Sequence, residues 1–219
     1  MAEMQNPLLD TDRLPPFAEI RPEHVEPAID ALIEEYRRTL QELLDKNEHY
    51  TWDNLIAPLE AVSDRLSKAW SPVGHMNSVV NTDALRAAYN ACLPKLSEFS
   101  TEVGQNERLY QAYQQIRDSA EYATLTQAQR KTIDDALRDF RLAGVSLPPE
   151  QKQRFKEISS RLSELMSRFQ ENVMDATDGW SKLIADEAEL AGIPETAKAN
   201  FRQMAERKGQ SGWLVNLEF

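Results

Sequence analysis

Apolar residues return along the chain at steps of three and four, the spacing that puts side chains on one side of an α-helix. Val25, Ile29, Leu32, Tyr36, Leu40 and Leu43 make the first such stripe, and Glu34, Glu35, Arg37, Arg38 and Glu42 fill much of the opposite face. Pro22 suits the first position of this helix, where its missing N–H would be unpaired anyway. A second stripe is Trp52, Leu55, Leu59, Val62, Leu66, Ala69 and Val73, with Thr51 or Asp53 as its cap. It continues through Met76 and Val80 despite Pro72, which predicts a kink near Trp70-Ser71 because proline removes one backbone bond. Thr82 opens a third helix carrying Leu85, Ala88, Cys92, Leu96, Phe99 and Val103, bent at Pro94 and ended by Gly104 as a left-handed cap.

Leu109, Tyr113, Ile116 and Ala120 predict a shorter fourth helix. Thr126-x-x-Gln129 has the form of a capping box and opens a fifth, with Ile133, Leu137 and Phe140, closed by Gly144. Pro148-Pro149 begins the longest segment. Here Phe155, Leu162, Phe169 and Ala176 recur every seven residues, interleaved with Ile158, Leu165 and Asn172. Such a seam predicts a helix packed lengthwise on a neighbour. Beyond Gly179 the pattern changes: Trp180–Ile184 reads as a short strand, and Pro194 begins a helix with Phe201 and Met204 that Gly209 and Gly212 end. Trp213, Val215, Leu217 and Phe219 then alternate with Leu214, Asn216 and Glu218, the period of a strand. A strand pattern stopping on an apolar residue leaves an edge that proteins usually protect, so we expect the front piece of a longer chain.

Residues 1–20, with Pro7, Pro15 and Pro16, lack periodicity and predict an extended arm laid on the surface by Leu8, Leu9, Leu14, Phe17 and Ile20. The expected fold is mainly all-α: long, kinked antiparallel helices with a small β element near the C-terminal end. The expected division is an arm over 1–20, a helical domain over 21–179, and a strand-helix-strand section over 180–219.

Composition narrows the function classes. The 219 residues are 41% apolar and 28% charged, a globular balance. A net charge of −11 argues against nucleic acid or an anionic membrane as the main partner, since both need a cationic face. A single cysteine, Cys92, precludes an internal disulfide and fits a reducing compartment. The opening Met1–Pro7 lacks the basic flank and apolar run of a secretory signal, and no apolar stretch approaches the roughly 20 residues of a membrane span. The expectation is a soluble, cytoplasmic protein.

Candidate chemistry is sparse. A zinc-hydrolase helix needs two histidines four apart with a glutamate between them. The only histidines, His24, His49 and His75, stand far apart in sequence. Cys92 falls on a core stripe, where a thiol is inert rather than catalytic. Gly209-Gln210-Ser211-Gly212 is one residue too short for a nucleophile elbow, and neither a Walker loop nor a Gly-x-Gly-x-x-Gly motif occurs. Acid pairs such as Asp134-Asp135 and Glu34-Glu35 read as solvated helix faces, and Trp52, Trp70, Trp180 and Trp213 as packing residues. No catalytic, cofactor-binding or metal-ligating residue is assigned.

A set of motifs nevertheless resembles a known family. Phe17-x-x-Ile20-Arg21-Pro22-Glu23-His24-Val25-Glu26-Pro27-Ala28 is similar to the opening segment of the thimet oligopeptidase family of zinc metallopeptidases. The similarity continues through Tyr50-Thr51-Trp52, Ser71-Pro72-Val73-x-His75-Met76-Asn77-Ser78-Val79 and Tyr122-Ala123-Thr124-Leu125. It takes in Ala136–Phe140, Leu162–Leu165, Asp175–Thr177 and Asp186–Gly192, in the family's order. The resemblance implies a helical peptidase of two lobes across a deep channel, whose His-Glu-x-x-His zinc helix lies in a later part of the chain. No position here inherits a ligand or catalytic role, so this polypeptide alone is expected to be inactive and to hold no zinc. It would wall the channel, limit substrate size, and serve an enzyme that degrades oligopeptides, including cleaved signal peptides, in the cytoplasm. Its implied partners are oligopeptide substrates and the catalytic region; neither nucleic acid nor membrane is among them. A self-contained helical module that binds proteins or peptides is the alternative.

Overall fold

A computed structural model of the chain describes residues 6–217. It divides into two compact units, Met1–Glu164 and Leu165–Phe219. The first is built around α1 (Pro22–Lys46), which packs on both α2 (Ala57–Val79) and α3 (Asp83–Gly104). Helices α4 (Glu107–Asp118) and α5 (Gln127–Leu142) pair beside them. The predicted stripes form the core. Val25, Ile29, Leu32, Leu55, Val73, Cys92, Ile116 and Ile133 are all fully buried.

Starts and stops follow local chemistry. The Thr82 side chain accepts from the Leu85 N–H at 3.3 Å and opens α3. Thr126 and Gln129 form the expected reciprocal pair, each side chain accepting from the other's backbone N–H. Both α2 and α3 run unbroken through their internal prolines, Pro72 and Pro94.

Four local expectations need correction. The last core residue of α1 is Leu44, with Leu43 half-buried, because successive steps of four carry the stripe on from Leu40. The second stripe opens on a wide π turn, Trp52–Ile56, capped by Thr51 and Asn54 on each other's backbone N–H. The turn accommodates an extra residue, and Leu55 and Ile56 are both buried in it. Ala120 lies in a short 3-10 turn after α4 rather than in the helix. Gly104 keeps a helical backbone as the last residue of α3. What it needs is the absence of a side chain, since a Cβ would sit 2.8 Å from that of Ala143.

The described part of the arm is turned rather than extended; residues 1–5 lie outside the described residues. Asn6 caps a 3-10 turn, Pro7–Leu9, and its side-chain amide donates to the His24 carbonyl at 2.7 Å. Leu8 and Ile20 are buried anchors, whereas Leu14 is 89% exposed.

The largest departure concerns α6 (Pro149–Gly179), whose first half closes the first unit and whose second half opens the next. None of its residues is buried. Ile158 and Leu162 in the first half, and Leu165, Met166, Phe169 and Val173 in the second, are exposed. Among the described residues, the seam therefore lacks the neighbour its pattern asks for. In the first unit α6 is held instead by polar reach, Lys152 to Glu107 and Lys156 to Glu98.

The second unit contains β1 (Ser181–Ile184) and β2 (Trp213–Asn216), an antiparallel pair in register Ser181↔Asn216 to Ile184↔Trp213. Helix α7 (Glu195–Arg207) packs on β2. The small core is Ile184, Leu190 and Trp213, with Phe201 and Val215 against it. Burial does not alternate as the period predicts: Trp213 and Leu214 are both buried, and Leu217 is exposed. Phe219 and Glu218 of that pattern lie outside the described residues. The fold is thus mainly α-helical with a small two-stranded sheet near the C-terminal end, as expected.

Candidate functional site

A concavity of the first unit lies between the arm and α2, a cavity of about 450 Å³. Leu8, Leu14, Pro16, Phe17 and Ile20 supply one wall, and Lys68, Pro72 and His75 the other. Phe17 meets the His75 imidazole edge to face, ring centroids 5.8 Å apart. The charged groups at its rim are partnered, Arg13 by Asp10 at 2.7 Å and Lys68 by Asp64 at 2.7 Å. Chemically this is a mostly apolar hollow, with Thr11, Ser71 and His75 supplying uncharged or weakly basic polar groups in its lining.

A second cluster ties α3 to α1 outside the core. The Lys95 ammonium reaches Asp30 at 2.7 Å and Glu26 at 2.8 Å, and these hydrogen bonds push its pKa up. Arg37 forks onto Glu102, with contacts of 2.6 and 3.1 Å to one carboxylate oxygen. A third cluster joins α4 to α5. Asp134 accepts from the Tyr122 hydroxyl and from the Arg117 guanidinium, each at 2.8 Å. The Tyr122 bond first, then Arg117, holds its carboxyl below the usual range. A carboxylate whose folded pKa is depressed contributes stability above its ordinary pKa and loses it as pH falls through the folded value. Asp134→Asn should therefore cost some stability near neutral pH, a cost that shrinks as pH falls through the folded value. Urea midpoints of both proteins at neutral and at acid pH measure this; a gap that stays undiminished in acid would refute it.

The residues singled out for chemistry are scattered. His24 lies in the first turn of α1, where its Nδ1 accepts from the Arg21 N–H at 3.1 Å. His49 sits in the loop before the π turn, and its carbonyl accepts from Asn54. His75 flanks the cavity on α2. Among the described residues, no group of three or more His, Cys, Asp or Glu could hold a metal ion.

Cys92 is fully buried and burial pushes its thiol up to about 11. A disulfide reagent at pH 8 should label the native protein at least ~100-fold more slowly than the guanidine-unfolded chain. Comparable rates would show that α3 opens freely. Trp70 stacks on Tyr89 with centroids 4.8 Å apart, and Arg202 lies over the Trp213 ring at 4.9 Å. Trp180 is exposed, and Trp52 only half-buried. Gly209–Gly212 forms the turn before β2, as its spacing suggested. Sequence reasoning missed the cavity, because no local pattern places the arm against the Pro72 turn of α2.

Among the described residues, then, the fold is mainly helical, and no helix is long and apolar enough to cross a membrane. The chain belongs to the family described as Neurolysin/Thimet oligopeptidase, N-terminal domain, whose model matches residues 29–152. It is 53% identical to oligopeptidase A of Haemophilus influenzae, over 98% of this chain and 31% of that protein. It is 51% identical to oligopeptidase A of Escherichia coli, over 98% of this chain and 32% of that protein. An organellar oligopeptidase A of Arabidopsis thaliana is 34% identical over 97% of this chain and 28% of its own length. The chain thus spans about a third of the curated relatives it matches.

Proposed function

We propose that this chain is the N-terminal helical lobe of a zinc-dependent oligopeptidase, walling a substrate channel and limiting the size of peptide admitted. The whole enzyme would hydrolyse short peptides, cleaved signal peptides among them, in the cytoplasm. The observation that carries the reading is α6. A helix with a seven-residue apolar repeat and no buried residue is shaped to be covered by further structure. Similarity over almost the whole chain to peptidases three times as long points the same way.

Zinc does not fit the described residues of this chain: His24 lies on α1, His49 in the loop that follows it and His75 on α2, and they gather no ligand set. No catalytic step is assigned to them, and the metal would be held elsewhere in the enzyme.

The test is a fusion. Joined to the two thirds of the Haemophilus influenzae protein outside the match, this lobe should give chelator-sensitive cleavage of a quenched fluorescent oligopeptide. The 219 residues alone should give none. Cleavage by the unfused chain, or a folded but inert fusion, would overturn the proposal.

A further inference from the structure

The exposed face of α6 also carries information about what covers it. Ile158, Leu162, Leu165, Met166, Phe169 and Val173 are between 43% and 69% exposed. Along one edge of this stripe stand Arg154, Arg161 and Arg168, again seven residues apart. In paired helices the positions flanking the seam face each other and set partner choice. Two copies of α6 side by side in parallel would set the arginines against Ser159, Met166 and Val173, which bring no charge. Two antiparallel copies would set arginine rows against each other. A second copy is therefore the wrong occupant.

We infer that α6 receives an amphipathic helix whose apolar seam is flanked by carboxylates at seven-residue spacing, supplied by the part of the enzyme outside this chain. The inference rests on the reading of the chain as a lobe of a longer peptidase, and it specifies the chemistry of the join. Arg154 already meets Glu157 at 3.0 Å and Arg161 meets Glu164 at 2.6 Å, both pairs largely in solvent. Such pairs are weak, and a guanidinium has five donors, so the arginines can serve a second carboxylate.

The probes are two synthetic helices of about 21 residues, with leucine along the seam and glutamate or lysine along the flanking edge. Fluorescence anisotropy with the intact chain should show the glutamate peptide binding at least roughly tenfold more tightly than the lysine peptide at about 50 mM salt, the preference fading at about 500 mM. The triple variant Arg154→Glu, Arg161→Glu, Arg168→Glu should reverse the preference. Leu165→Glu with Phe169→Glu should abolish binding of both peptides. All five positions are exposed, and an unchanged circular dichroism spectrum confirms that the variants fold. Equal binding of the two peptides, a preference for lysine, or no binding would overturn the inference. So would a dimer of the chain that Phe169→Glu dissociates.

In the fusion, the arginine triple should lower the melting temperature while leaving that of the unfused chain unchanged. An active fusion indifferent to the triple would remove the inference and keep the proposed function. Selective peptide binding beside an inert fusion would do the reverse.

Discussion

Leu32→Ala should destabilise the first unit by about 3–5 kcal/mol, enough to leave a domain of ordinary stability barely folded. Leu32 has no solvent exposure and lies on α1, the helix that packs on both α2 and α3. Removing its branched end strips contacts from a filled interior, and Ile29, Leu55 and Val73, equally buried, belong to the same core cluster. The site cannot collapse without moving a helix, which places the cost at the upper end for such substitutions. The contrast is Leu162→Ala on α6, where the side chain is 55% exposed and the change should stay within about 0.5 kcal/mol in the isolated chain. Urea unfolding followed by circular dichroism compares the two. Equal shifts in midpoint would show that α1 is not the centre of the fold.

Gly212→Ala should unfold much of the second unit while sparing the first. Gly212 has φ +116°, a region that L side chains rarely adopt. An added Cβ would also lie 2.5 Å from the Ile184 carbonyl oxygen, a backbone atom of the paired strand that no rotamer change can move aside. Backbone strain of about 1–3 kcal/mol adds to that overlap, in a unit whose core among the described residues is a small cluster around Ile184, Leu190 and Trp213. The expected signature is loss of amide protection in β1, β2 and α7 with protection in α1 unchanged. Wild-type exchange throughout would show that the turn before β2 can be rebuilt at little cost.

Much of the helical architecture is legible in the sequence because its signals are local. The Thr82 cap and the Thr126–Gln129 box depend on residues three apart, and the stripes of α1, α2 and α5 on residues three and four apart. Where the chain departs from its own pattern, the cause is a contact distant in sequence or an unusual turn. The π turn at Trp52–Ile56 leaves no mark in a pattern of threes and fours, so the sequence read it as ordinary helix. Gly104 looks like a helix stop but is retained for the approach of Ala143 from α5, 39 positions on (143 − 104). The cavity depends on tertiary docking of the arm through Asn6 and Ile20, so in the sequence its wall is visible only as apolar residues that lay the arm on some part of the surface. The seven-residue repeat of α6 was legible as a seam, but the sequence could not say that nothing among the described residues would fill it.

The packing of α1 on α2, α2 on α3 and α4 on α5 joins helices that follow one another directly along the chain. Such short-range topology folds quickly, because little loop entropy is spent before each contact forms. During synthesis from the amino terminus, these helices can pair while later residues are still inside the ribosome. On the proposed reading of α6, the nascent protein would display its greasy surface for the seconds needed to translate the covering helix, an interval in which a holdase chaperone has something to grip.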